Sequence, residues 1–313
     1  DRMAALFVAR GARAGDVLGL QMPNTPQYVV AFIAAARLGM VTTSISPLMT
    51  PPEIIHQAND AQVTILLTLV PFWQTSVPPV LGKVATLSTV IVSGPMDLIS
   101  GQGEALEETH EGVSVISLHD HLPDTAEPVN TPVDMDSVLY LQYTGGTTGR
   151  PKGVVGTAQA MTTMTQVQLA EWEWPESPRF LMCTPLSHAG AAFFTPVIVK
   201  GGELRVMTKF DPAEVLKVIE EQKITATMLV PSMIYALMDH PDSHTRDLSS
   251  LETVYYGASA MNPVRLKEAI RRFGPIFAQY YGQSEAPMVI TYLAKKDHDE
   301  KRLTSCGRPT LFA

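Results

Sequence analysis

Cysteine, positive charge and long apolar runs are all scarce in this chain of 313 residues. There are 2 cysteines, Cys183 and Cys306, far apart and without metal-ligand spacing. Their scarcity excludes a disulfide scaffold and a cysteine-rich metal module. It fits a reducing, cytoplasmic setting in which both are expected as buried thiols. Lys and Arg total 23 against 31 Asp and Glu, a net charge of −8. That balance argues against a broad nucleic-acid surface. The longest notable apolar run, Val29 to Ala36, is stopped by Arg37. It is too short to span a bilayer, and no signal peptide is visible. No transmembrane segment is therefore expected, while peripheral membrane contact and homodimer formation stay open. The chain begins at Asp1 without Met and stops at Ala313 with no terminal signal, so both ends are expected to be cut from a longer protein.

What is present is a regular alternation of helix and strand signals. Thr25-Pro26 supplies a cap and a first-turn proline, and Gly39 closes that helix. Thr50-Pro51-Pro52-Glu53 has capping-box spacing. Val63 to Leu67 and Thr89 to Val92 are apolar runs of strand length. The stretch from Gly94 to Pro132 is rich in Gly, Pro and acids and reads as surface loops at a subdomain boundary. Further on, strands are expected at Phe180–Cys183, Ala226–Val230, Thr253–Tyr256 and Ile276–Tyr280, with helices opening at Asp211-Pro212 and Asn262-Pro263. Such repeats imply an α/β fold with stacked, mostly parallel β-sheets flanked by helices. Two α/β subdomains are expected, 1–133 and 134–313, with room for a small barrel-like β subdomain. Ligands in such folds sit beyond the carboxyl ends of strands.

Three loops fall at those ends. After Val138-Leu139-Tyr140-Leu141 comes Tyr143-Thr144-Gly145-Gly146-Thr147-Thr148-Gly149-Arg150-Pro151-Lys152-Gly153. Glycines let a backbone approach a phosphate chain, hydroxyls donate to its oxygens, and one ammonium adds charge. A Walker A motif runs Gly-Lys-[Ser/Thr] straight into a helix. Here Arg150 and Pro151 intervene, and Pro151 biases its predecessor away from helix. The second loop is Tyr280-Tyr281-Gly282-Gln283-Ser284-Glu285, preceded by Gln279. A strand ends at Tyr280, Gly282 turns the chain, and Glu285 offers a carboxylate suited to Mg²⁺. Taken alone, it is an ordinary surface Glu beside a core Tyr. The third, Gly257-Ala258-Ser259, leaves room for a flat group but is by itself a simple turn.

The glycine loop resembles the phosphate loop of the acyl-adenylate-forming superfamily, which includes acyl-CoA synthetases, luciferases and peptide-synthetase adenylation domains. The Tyr-Thr-Gly-Gly-Thr-Thr-Gly form is similar to the fatty-acyl-CoA ligase branch, and many relatives carry Ser where Gly145 stands. The Tyr281–Glu285 turn resembles the family's Tyr-Gly-x-[Thr/Ser]-Glu, with Ser284 keeping the hydroxyl. The resemblance extends to Pro23–Tyr28, Ile45–Glu53, Thr184–Gly190 and Cys306–Pro309. It implies the large N-terminal domain of that fold. It implies that Gly145, Gly146, Thr147, Thr148, Gly149 and Lys152 hold the ATP phosphates, and that Glu285 and Thr144 bind Mg²⁺. It implies further that Ser284 contacts the α-phosphate, that Tyr281 stacks on adenine, and that Gly257–Ser259 line the adenine and acyl sites. Gln279, Tyr280, Gly282 and Gln283 join the nucleotide-binding set, with Thr144, Lys152 and Glu285 as the catalytic residues. His188 would lie between acyl pocket and thiol channel, with Ser187 where relatives have an aromatic.

The implied reaction converts a carboxylic acid and ATP into acyl-AMP and pyrophosphate, then passes the acyl group to CoA. The glycine-loop form and Pro47-Leu48 point to a medium- or long-chain fatty acid. The resemblance places a ribose-binding Asp and a smaller C-terminal domain with a catalytic Lys downstream of Ala313. This stretch is therefore expected to bind nucleotide weakly and to be nearly inactive alone. Other readings stay open: an aryl or steroid-acid CoA ligase, an acyl-AMP ligase loading a carrier protein, a silent nucleotide-binding scaffold, and a P-loop ATPase.

Overall fold

Helix starts follow the cap-and-proline signals of the sequence. Pro26, Pro51, Pro212, Pro231 and Pro263 each open a helix, where a missing N–H costs nothing. The structure, a computed structural model, describes residues 1–94, 107–129, 131–144 and 151–313. It comprises two units, Asp1–Ala160 and Met161–Ala313.

The first unit runs α1 (Arg2–Ala9), β1 (Val17–Gln21), α2 (Pro26–Arg37), β2 (Val41–Ser44), α3 (Pro51–Asp60), β3 (Val63–Leu69), α4 (Val70–Trp73), β4 (Thr89–Ser93), β5 (Glu107–His110), β6 (Val113–Ser117), α5 (Leu118–His121), β7 (Val138–Thr144) and β8 (Lys152–Thr157). The strands form one sheet in the order β5-β6-β4-β3-β1-β2-β7-β8. Its inner pairs are parallel, and only β5 and β8, at the two edges, run antiparallel to their neighbours. All five residues of β1 and of β4 are buried, as expected of parallel strands covered on both faces. Ile54 and Ala58 of α3 pack with Val63, Leu66, Val90 and Val92 in one core. Glu53 completes the capping box, accepting from Thr50 N–H and Oγ1, each at 2.7 Å.

The second unit adds α6 (Ala158–Glu171, which starts just before the division), β9 (Arg179–Met182), α7 (Phe194–Val199), β10 (Glu203–Val206), α8 (Pro212–Gln222), β11 (Ala226–Leu229), α9 (Pro231–Asp239), β12 (Thr253–Tyr256), α10 (Pro263–Phe273), β13 (Phe277–Gln283), β14 (Ala286–Leu293) and β15 (Arg308–Pro309). Its sheet is ordered β10-β9-β11-β12-β13-β14-β15. The pairs from β10 to β13 are parallel, and β14 and β15 add antiparallel strands. An aromatic cluster fills one core. Trp172 stacks on both Tyr280 (5.4 Å between centroids) and Tyr292 (5.5 Å), while Phe193 and Tyr255 pack on both Trp172 and Trp174.

Several expectations are corrected. The sheets are open, and no closed barrel forms among the described residues. The stretch read as loops contains the β5–β6 hairpin and α5, because Val113, Val115 and Ile116 supply a buried face. Cys183 is buried but Cys306 is exposed, and both are free thiols. The sequence reading set a boundary after residue 133. The units divide after Ala160, because β7 pairs with β2 and carries β8 into the first sheet.

The aromatic cluster yields a test. Trp172→Ala should cost about 3–5 kcal/mol through loss of burial and an uncollapsed cavity. Thermal melting followed by near-ultraviolet circular dichroism reads this, and an unchanged midpoint would show that the cluster contributes little.

Candidate active site

Parallel pairing decides where the loops of the second unit lie. Because β9, β11, β12 and β13 run in one direction, the segments after β9, β12 and β13 leave the same edge of the sheet. That edge therefore gathers His188, Gly257–Ser259 and the Tyr281–Glu285 segment.

The Tyr281–Glu285 segment is a bulged hairpin, not a turn at Gly282. β13 continues to Gln283, and Ser284 and Glu285 alone connect it to β14, with Gln283 opposite Ala286. The register shifts between Tyr281 and Gln283. Gly282 makes that possible, since a Cβ there would overlap the backbone of Met288. Strand alternation then separates two tyrosines that are adjacent in sequence. Tyr280 is 3% exposed and its ring lies in the aromatic cluster, whereas Tyr281 is 46% exposed. Tyr281 thus offers a ring face at the sheet edge, and Gln283 and Glu285 are also exposed.

Gly257 is buried against this hairpin's first strand. An added Cβ would stand 2.6 Å from the Tyr280 carbonyl oxygen and 2.7 Å from its ring. Ala258 takes φ +65°, a left-handed conformation costly for a side chain, and both Ala258 and Ser259 are exposed. Beneath this loop the Tyr256 hydroxyl lies 3.1 Å from Gln279 Oε1 and 3.0 Å from His298 Nε2. His298 Nδ1 lies 2.9 Å from the Ala294 carbonyl, which can only accept, so neutral His298 keeps its proton on Nδ1, and the single phenolic proton of Tyr256 is shared between two acceptors, Gln279 Oε1 and His298 Nε2. The sequence reading missed Tyr256 and His298. They are 42 positions apart, and no local motif links them.

His188 precedes a 3₁₀ turn, Ala189–Phe193, whose Phe193 enters the aromatic cluster. Its ring remains partly open to solvent, and partial burial lowers its pKa below the usual value. Nearby in sequence, burial pushes the Cys183 thiol up to about 12, which makes it a poor nucleophile at neutral pH.

In the first unit, β7 and β8 form an antiparallel hairpin, with Tyr143 opposite Gly153 and Thr144 opposite Lys152. Thr144 and Lys152 are thus a facing pair at the end of the hairpin where the chain passes from β7 to β8. Strand, not helix, follows Pro151, and the next helix begins only at Ala158, which removes the Walker A alternative. Gly145, Gly146, Thr147, Thr148 and Gly149 lie outside the described residues. Among the described residues no group of three or more His, Cys, Asp or Glu could hold a metal ion.

A family model described as "AMP-binding enzyme" matches residues 1–313. The chain belongs to the AMP-binding enzyme family. A medium/long-chain-fatty-acid–CoA ligase, FadD8 of Mycobacterium tuberculosis, is 58% identical over 308 residues, covering 98% of this chain and 52% of that protein. A long-chain-fatty-acid–CoA ligase of Bacillus subtilis is 29% identical, covering 92% of this chain and 54% of that one. Among solved structures, the amide bond synthetase McbA of Marinactinospora thermotolerans aligns with a TM-score of 0.82 at 26% identity, over 99% of this chain and 59% of that one. The N-terminal domain of FACL13 of Mycobacterium tuberculosis gives 0.79 at 22% identity, over 99% and 73%, a likeness of fold alone. The chain spans about half the length of the curated relatives it matches.

His188 and His298 give a pH prediction. Burial holds both His188 and His298 below the usual 6.5, so the unfolded chain takes up these protons first as pH falls. Stability should be highest above 6.5 and decline as pH drops from there through the lowered folded values. His298→Gln should flatten part of that decline in melts at about pH 7.5 and about pH 5. An unchanged slope would remove His298 from the account.

Proposed function

We propose that this chain carries the acid-activating machinery of an ATP-dependent acyl-CoA synthetase. The observation that carries the reading is the β7–β8 register, which sets Thr144 opposite Lys152 at the ends of a Gly/Thr loop in a chain matched throughout by the AMP-binding family. A carboxylate oxygen of the acid attacks the α-phosphorus of ATP. The bond from that phosphorus to the bridging oxygen of the β-phosphate breaks, and pyrophosphate leaves acyl-AMP behind. The thiol of CoA then attacks the acyl carbonyl, loses its proton, and expels AMP.

Two anions must meet in the first step, so charge neutralisation and alignment dominate the barrier. Lys152 and the loop hydroxyls would neutralise the β- and γ-phosphates, with the Thr144 hydroxyl beside them. Ser284 would contact the α-phosphate, and Tyr281 would offer its exposed ring to adenine. Glu285 and Thr144 are the residues that the family resemblance assigns to Mg²⁺, whose charge would help pyrophosphate depart. His188 is proposed as a gate between acyl and thiol sites, with no proton transfer assigned to it.

The substrate proposed is a medium- or long-chain fatty acid. It rests on the relative so named, which is 58% identical, whereas a potato 4-coumarate–CoA ligase is 30% identical. Two free cysteines, one of them exposed, support a cytoplasmic location.

The decisive measurement is acid-dependent pyrophosphate release by the protein carrying these residues, screened across fatty, aryl and steroid side-chain acids. Fatty acids should give AMP and pyrophosphate, and CoA should outperform a phosphopantetheinylated carrier as acceptor. Steady release of ADP would overturn the reading. Glu285→Ala should lower acyl-AMP formation by about 10²–10³-fold, the range for removing one preorganised electrostatic group. Activity retained at the wild-type level would remove Glu285 from the metal role.

A further inference from the structure

A line of contacts in the first unit leads from the end of α3 to the connected end of the β7–β8 hairpin. Asp60 is the last residue of α3, where the negative end of the helix dipole disfavours a carboxylate. Its neighbour Asn59 fixes that end in place. Asn59 Nδ2 donates to the Lys83 carbonyl at 2.8 Å, and Ala85 N–H donates to Asn59 Oδ1 at 3.2 Å. From this anchored position Asp60 Oδ2 accepts a 2.5 Å hydrogen bond from the Tyr143 hydroxyl, 83 positions along the chain. Tyr143 also packs against the apolar core beneath the sheet.

The hairpin needs such a restraint. β8 is an edge strand paired only with β7, and it contains Gly153 and Gly156, which pack poorly and weaken a strand. Gly153 stands opposite Tyr143, and a Cβ there would lie 3.2 Å from the Tyr143 ring. The missing side chain lets the ring lie close over the strand and reach Asp60. The next pair along the ladder is Thr144 opposite Lys152. The phenol is the donor and the Asp60 carboxylate the acceptor in this bond.

We propose that the Asp60–Tyr143 hydrogen bond is a clamp that holds Thr144 and Lys152 in position for the phosphate chain of ATP. Both residues act through the backbone ladder and are positioning residues. The proposal rests on the acid-activating reading given above and adds to it Asp60, far from the glycine loop in sequence, and a positioning role for Tyr143, the first residue of that motif.

The test compares Tyr143→Phe, Asp60→Ala, Asp60→Asn and the Tyr143→Phe/Asp60→Ala double variant in the protein carrying these residues. Tyr143→Phe and Asp60→Ala should each raise the KM for MgATP in pyrophosphate release about ten-fold. Thioester formation from supplied acyl-AMP should stay at the wild-type rate. Asp60→Asn keeps an acceptor oxygen and should retain most of the wild-type KM. The double variant should be no worse than either single one, because both remove the same bond. Trypsin should cut after Lys152 faster in the KM variants than in wild type. The clamp is overturned by an unchanged KM, by additive effects of the two changes, or by equal losses in both half-reactions with a lowered melting point. If wild type releases no pyrophosphate with any acid, the acid-activating reading fails instead. Cleavage after Lys152 then decides the clamp, and equal rates in wild type and variants overturn it.

Discussion

The candidate site depends on antiparallel backbone pairing added to parallel sheets. Each unit builds a stack of parallel strands, and each stack ends in a hairpin: β7–β8 in the first, β13–β14 in the second. A parallel strand must leave its sheet through a crossover, but an antiparallel one can return through a short connection. Residues meant to face one another across a few ångströms are therefore best placed on such a hairpin. Thr144 opposite Lys152, and the two-residue tip at Ser284-Glu285, are the two results.

Packing then fixes which side each residue shows. Tyr280 and Tyr281 differ by one position and take opposite fates, one stacked on Trp172, the other at the surface. The large burial of the aromatic cluster holds the strand against slippage, since a slip of one residue would exchange the two tyrosines. Close backbone approach at Gly257 and Gly282 completes the arrangement, and both positions exclude a Cβ on steric grounds alone. Below them the Tyr256, Gln279 and His298 side chains form a polar support among otherwise buried groups.

Much of the fold was legible because it rests on local signals. The cap-proline pairs at Thr25, Thr50, Asp211 and Asn262 start helices where expected, and the apolar runs from Val63 and Thr253 are strands. The β5–β6 hairpin escaped notice because its outer strand, Glu107–His110, is wholly exposed and carries no apolar pattern. The turn near Gly282 was misplaced because a glycine in a bulged strand looks, in sequence, like a glycine in a turn. The unit division lay beyond local reading, because it depends on β7 choosing β2, a partner about one hundred residues earlier.

Chemistry followed the same divide. The residue types suited to phosphate and Mg²⁺ were set by composition and order: Gly, Thr and Lys in one short run, and Ser-Glu in another. Their chemical capacity needs no neighbour from elsewhere. Tertiary structure alone decided that Thr144 faces Lys152, that Tyr281 rather than Tyr280 is open to solvent, that Tyr143 bonds Asp60 and that Tyr256 bonds His298. Each of these depends on strand register, on burial, or on a hydrogen bond between residues far apart in the chain. Those relations exist only once the strands have paired and the core has closed.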